Sequence, residues 1–135
     1  MPNFISECSN LKTKMEHKNL AAWSKSIDLV TNVYSKTKKF PQSEKFGLVN
    51  QMRKCAVSIP SNIAEGSARN STKDYLKFLY ISLGSATELD TQVIICEKLG
   101  LMKSNEKIEL TGKLGEVIRL LHGLIKRNKL LLLKT

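Results

Sequence analysis

LVNQMRKCAVSIPSNIAEG, residues 48–66, reads either as one long helix or as two short elements. Leu48, Met52, Cys55, Ile59 and Ile63 stand three or four residues apart, which is the spacing of one face of an α-helix. Pro60 interrupts this stripe. Inside a helix a proline removes a hydrogen bond and crowds the carbonyl four residues back, at a cost of roughly 3 kcal/mol. Two outcomes are open: a stop at Ile59 with a restart capped by Ser61 or Asn62, or one kinked helix through Pro60. The stripe keeps its phase across the proline, which favours the kinked helix. Its start is expected near Ser43 or Glu44, and Gly66 suits a C-terminal stop.

Upstream, Leu20, Trp23, Ile27, Val30 and Tyr34 share one face of a helix expected over about 19–38, with Asn19 as its N-cap. Phe40-Pro41 ends that helix, because the residue before proline is pushed out of the α region. Downstream, Ser71-Thr72-Lys73-Asp74 has the form of a capping box. The third helix carries Tyr75, Phe78 or Leu79, Ser82, Ala86, Leu89, Val93 and Cys96 on its core face, and Gly100 caps it. Its middle, residues 82–86, is mostly small and permits close approach of a neighbour.

The fourth helix is expected over about 105–132 with Ser104 as its cap. Leu110, Leu114, Val117, Leu121 and Leu124 form one stripe, and Ile118, Ile125 and Leu132 a second. One buried face needs one stripe. Two fit either a second neighbour, supplied by another subunit, or a wide core face. Gly112, Gly115 and Gly123 each cost up to ~1 kcal/mol against alanine, and close packing is the expected reason for them. No proline follows Pro60, and no Asn-Gly or Asp-Gly hairpin turn occurs. The fold class is all-α: an antiparallel up-down-up-down four-helix bundle over 19–135, after a polar, aperiodic arm over 1–18.

The 135 residues fit one domain, and the net charge is +10. The excess is uneven. Residues 1–40 carry seven lysines against three acids, residues 41–100 seven cations against six acids, and residues 101–135 eight cations against three acids. A field of this sign attracts polyanions. Cys8, Cys55 and Cys96 form no CxxC pair, which suggests a reducing compartment. No run reaches the ~18 apolar residues of a membrane span, and residues 1–19 lack the apolar core of a signal peptide. A cytoplasmic protein without membrane contact is expected.

The stretch Phe40-Pro41-Gln42-Ser43-Glu44-Lys45-Phe46-Gly47-Leu48, followed by residues 51–66, strongly resembles the four-helix-bundle family of ribosomal RNA intervening-sequence proteins. The accessory protein of diversity-generating retroelements is similar to that family. Ser58, Ile59, Pro60, Ser61, Asn62, Ile63, Ala64, Glu65 and Gly66 carry the most specific part of the match. Trp23, Tyr34, Arg69, Ser85, Glu88 and Leu89 also fit the pattern, while Lys54-Cys55 stands where it often has a basic residue followed by alanine. The likeness covers about 20–100. It implies a second helix that passes through its proline, and homo-oligomers, typically pentameric rings. It also implies nucleic-acid and reverse-transcriptase binding through basic surfaces in the retroelement relative, and it does not imply an enzyme.

No catalytic constellation can be assembled from the residues. His17 and His122 stand alone, without a Cys or acid at metal-ligand spacing, and no phosphate loop or nucleophile elbow occurs. No metal and no cofactor is expected. Glu65 and Glu88 are the acids of interest, but Glu65 and Arg69 are placed for an i,i+4 pair. The motif at residues 58–66 therefore reads as structural, with Asn62 and Glu65 paired or at an interface. The bundle topology gathers Lys18, Arg69, Lys73, Lys126, Arg127 and Lys129 at one end as the candidate nucleic-acid contacts. The opposite end collects Lys36, Lys38, Lys39, Lys45 and Lys103. Two functions remain open: a basic homo-oligomer that binds nucleic acid, RNA in the first place, with little sequence specificity, and an adaptor for a protein such as a reverse transcriptase or other polymerase.

Overall fold

The computed structural model describes His17 and residues 20–134. The arm expected over 1–18, apart from His17, and the candidate contact Lys18 lie outside the described residues. Four helices account for most of the rest: α1 (Ala21–Thr37), α2 (Asn50–Ser67), α3 (Thr72–Lys98) and α4 (Ser104–Leu133). No strand occurs among the described residues. Each helix packs on the next in sequence, and α1 closes against α4, so the four surround one core, as expected of a four-helix bundle. Bonds between helices fix their relative sense. Going up α3, Ser82, Ser85, Glu88 and Cys96 meet Ile59, Ser58, Cys55 and Met52 going down α2. Along α1, Lys25 and Lys36 meet Glu116 and Glu109 of α4 in the same descending order.

α2 runs unbroken through Pro60, as the in-phase stripe requires. Met52, Cys55, Ile59, Pro60 and Ile63 are all buried. Polar side chains tie the helix down beside the proline: Ser82 Oγ donates to Ile59 O at 2.9 Å, and Ser85 Oγ to Ser58 Oγ at 2.8 Å. The expected start near Ser43 needs correction. A 3₁₀ turn (Gln42–Glu44) and a π turn (Lys45–Val49) come first, and Gly47 at φ −100°, ψ −107° breaks the helical path. Regular α-helix begins only at Asn50.

Gly66 is not the C-terminal stop. It lies buried inside α2, whose C-cap is Ala68, and no positive φ is found there. A Cβ at Gly66 would sit 2.8 Å from Phe78 Cβ and 2.9 Å from Tyr75 Cδ1, so the glycine permits the close crossing of α2 and α3. Gly100 does cap α3, at φ +75°. Leu101 N donates to Cys96 O and Gly100 N to Glu97 O, the two bonds of a Schellman motif. At the other end Ser71 caps α3 by accepting from Asp74 N.

The stripe expected to bury α1 is displaced by one position. Ala22, Ser26, Leu29, Val33 and Thr37 are buried, whereas Ile27 and Tyr34 are exposed and Trp23 and Val30 only half-buried. Ser26 and Thr37 can be buried because their hydroxyls donate to Trp23 O and Val33 O, each at 2.7 Å, so neither hydroxyl is stranded. The N-cap is Leu20 rather than Asn19, and Lys103 rather than Ser104 caps α4, where Glu106 Oε1 accepts from Lys103 N. On α4 the first stripe holds from Leu110 to Leu121. Burial then passes to Ile125 and Asn128, and Leu132 is exposed. Gly112 and Gly123 have nothing within 4 Å of where a Cβ would stand, and Gly115 only Arg119 Nη1 at 3.5 Å. Packing within the chain does not explain them.

Candidate nucleic-acid interface

The acids of α4 all lie in its first half: Glu106, Glu109 and Glu116. Glu109 and Glu116 face lysines of α1, and Glu106 faces Lys39 just beyond its end. Lys36 Nζ lies 2.6 Å from Glu109 Oε2, Lys39 Nζ 2.6 Å from Glu106 Oε2, and Lys25 Nζ 3.6 Å from Glu116 Oε1. The Lys39 ammonium, helped by the Lys103 amide, holds the Glu106 carboxyl below its ordinary range. Lys36 and the Asn32 amide do the same for Glu109. Lys36 is itself buried in the α1–α4 seam. Of the lysines expected at this end, Lys36 and Lys39 are thus neutralised locally.

After Glu116 no acid occurs, and the cations are Arg119, Lys126, Arg127, Lys129 and Lys134. Lys126, Arg127 and Lys129 are exposed, and among the described residues none forms an ion pair. Lys129 Nζ lies 5.6 Å from the Tyr80 ring centroid, within cation–π range. Burial pushes the Tyr75 phenol up while the Arg127 charge opposes it, which places the last turns of α4 beside the start of α3. A hollow of about 290 Å³ brings Leu20 and Ala21 of α1's first turn against Arg119, Gly123 and Arg127.

The exposed Lys73 opens α3 at this same end. Arg69 joins it from the α2–α3 link, but its charge is partly spent: Nη2 is 2.7 Å from Glu65 Oε1, and the guanidinium stacks 4.8 Å from the Phe78 ring. Among the described residues Lys73, Lys126, Arg127 and Lys129 are in no ion pair, whereas Arg69 is paired with Glu65. Arg119 and Lys134 belong to the same surface and were not among the sequence candidates. The absence of acid after Glu116 was the signal for both.

The motif at residues 58–66 is occupied by structural contacts. Asn62 Nδ2 donates to Ser58 O and Oγ at 2.8 and 2.9 Å, and Glu65 holds Arg69. Glu88 instead accepts from the Cys55 thiol at 3.1 Å, so Glu65 and Glu88 are committed to different partners. Burial, followed by the Glu88 carboxylate, pushes the Cys55 thiol up to about 11, and burial does the same for Cys96. His17 packs edge-on against Trp23, with centroids 5.2 Å apart, and His122 is exposed. Among the described residues no group of three His, Cys, Asp or Glu side chains could hold a metal ion, and no helix is long and apolar enough to cross a membrane.

In comparisons with known proteins, no curated protein matches the chain. Among solved structures it is similar to a protein of unknown function from the S23 ribosomal protein family of Bacteroides thetaiotaomicron. The TM-score is 0.73 at 22% identity, over 78% of this chain and 95% of that one, which carries the fold. A family model described as 23S rRNA-intervening sequence protein matches residues 18–123. That span includes α1, α2, α3 and most of α4 with the motif at Ser58–Gly66, and the chain belongs to the family of 23S rRNA-intervening sequence proteins.

Proposed function

We propose that this protein is a non-enzymatic, homo-oligomeric bundle that binds nucleic acid, RNA in the first place, through the end formed by Lys73 and the last turns of α4. The observation that carries this reading is the run of cations after Glu116, free of ion pairs among the described residues. Free ammonium and guanidinium groups bind phosphates by releasing condensed counterions, and this attraction is independent of sequence. Nucleic acid should copurify as absorbance at 260 nm that high salt removes. A preparation free of such absorbance at low salt, with no shift of added RNA or DNA, would end this reading.

Assembly is supported by surface that the single chain leaves unused. Gly84, Gly112 and Gly123 face open space, and Tyr80, Ile81, Ile94 and Ile95 of α3 are exposed. A second chain would bury such residues, and the family resemblance points to a pentameric ring. Repeating the basic end around a ring would add avidity without any new contact. Light scattering that returned a monomer at micromolar concentration would refute the assembly.

A second reading keeps the surface and changes the partner. Leu130 and Leu131 are exposed beside Lys126, Arg127 and Lys134, and a hollow of about 340 Å³ lies among them. Apolar area amid cations also fits an acidic protein segment, such as one on a polymerase. Copurification of a protein that survives nuclease treatment, without bound nucleic acid, would favour it.

A further inference from the structure

The α1–α2 seam carries a second basic surface, remote from the Arg127 side of α4. Its centre is Arg53. The guanidinium carbon lies 4.4 Å from the Tyr34 ring centroid, Nε donates to Thr37 Oγ1 at 3.1 Å, and Nη2 donates to Tyr34 O at 3.4 Å. These contacts occupy one face and two of the five N–H donors of an arginine, and none of them is to a carboxylate. Arg69, by contrast, spends its charge on Glu65.

Arg53 lines two hollows. One, of about 520 Å³, also has Asn50 and Lys54 in its wall. The other, of about 240 Å³, also has Lys38, Gln42 and Lys45. No carboxylate lines either hollow, and among the described residues none of Lys38, Lys45, Arg53 and Lys54 is in an ion pair. Lys45 Nζ lies 5.7 Å from the centroid of the Phe46 ring. Four uncancelled cations along one concave line focus a positive potential there. An arginine already stacked and bonded has given up its rotamer freedom before a ligand arrives, which lowers the entropic cost of binding. The amides of Asn50 and Gln42 add neutral donors.

We propose that the α1–α2 seam is a phosphate-binding track centred on Arg53. The phosphates belong either to a nucleic-acid strand or to a free polyphosphate compound, and the oxygens recognised are the same. The track goes beyond the α4 end and does not depend on it.

The test is calorimetric titration with inorganic tripolyphosphate at low salt, with an RNA mobility shift run in parallel. Four proteins are compared: the wild type, Arg53→Met/Lys54→Gln, Lys38→Gln/Lys45→Gln, and Lys126→Glu/Arg127→Glu/Lys129→Glu. The wild type should bind tripolyphosphate. Arg53→Met/Lys54→Gln should lose about tenfold or more in affinity, and Lys38→Gln/Lys45→Gln should lose a smaller factor, while the α4 variant keeps wild-type affinity. Among the described residues the side chains of Lys38 and Lys45 are in no ion pair, and a melting temperature that stays at the wild-type value shows that a loss on their replacement is not unfolding. RNA binding weakened by the seam variants assigns the track to strand phosphates; RNA binding unchanged assigns it to a free polyphosphate. Tripolyphosphate binding without RNA binding in any variant would sink the α4 reading and leave the track standing. The track is overturned if the wild type does not bind tripolyphosphate, if both seam variants bind it as the wild type does, or if only the α4 variant loses it.

Discussion

The two halves of α4 use the same residue types for opposite ends. In the first half every glutamate meets a lysine of α1 or of the turn just after it, and the charges close the α1–α4 seam. In the second half the glutamates stop while the cations continue. Counted by composition, the first half carries Lys107 and Lys113 against three glutamates, and the second carries Arg119, Lys126, Arg127 and Lys129 against none. Counted by partner, one half is neutralised and the other is left to the solvent. A net charge therefore says little about function until the cations already engaged in pairs are set aside. Of those at the Lys36 end, Lys36 and Lys39 belong to the fold, whereas Lys126, Arg127 and Lys129 have no such work.

The largest stability effect expected from a single change lies where α2 meets α3, the joint that sets Lys73 against the end of α4. Gly66→Ala would drive a methyl into Phe78 and Tyr75, and overpacking of this kind costs about 1–3 kcal/mol. Thermal unfolding should show a drop of several degrees. An unchanged midpoint would mean that the joint is looser than its 2.8 Å approach implies.

A smaller effect separates the two halves of α4 directly. Glu106 and Glu109 have carboxyls held low by Lys39 and Lys36. A depressed carboxyl contributes stability that is fully present above its ordinary value of 4.5 and is lost as pH falls through the lower folded value. Stability should thus hold from neutral pH to about 5 and fall below about 4.5. Lys36→Met should flatten that acid limb, and Lys126→Met should leave it as it is. Thermal melts across this range check both, and equal acid limbs in the two variants would erase the distinction between the halves.

The smallest effect is on stability at the free end. Lys126→Met touches no partner, so its unfolding free energy should stay within about 0.5 kcal/mol of wild type. A larger loss in a denaturant titration would show that the last turns of α4 carry charge for the fold after all.

Most of the fold was legible in the sequence because three of the helices advertise their buried faces, α4 among them through Leu110, Leu114, Val117 and Leu121. Met52, Cys55, Ile59 and Ile63 on α2, and Leu79, Ala86, Leu89 and Val93 on α3, are apolar residues at helical spacing, and they are buried. The face of α1 was misread because Ser26 and Thr37 are buried by bonding their own backbone, which hydropathy cannot see. The more apolar row through Ile27 and Tyr34 was left outside. Gly66 was misread because a glycine near a helix end looks the same whether it stops the helix or admits a neighbour. A cluster of cations at one end was the expectation that topology alone allowed. Which cations were free did not, because the pairing of Lys36 with Glu109 depends on the register of helices 73 residues apart.

The central claim is that the last turns of α4 bind polyanions by charge. The direct test is a mobility-shift titration of RNA at several salt concentrations, comparing the wild type with Lys126→Glu/Arg127→Glu/Lys129→Glu. Binding should weaken for all sequences alike. The slope of log affinity on log salt should flatten by about one unit for each phosphate that the protein no longer neutralises. At about 0.1 M salt, three such phosphates amount to roughly two to three orders of magnitude in affinity. A variant that bound RNA with the wild-type affinity and the wild-type salt slope would contradict the account.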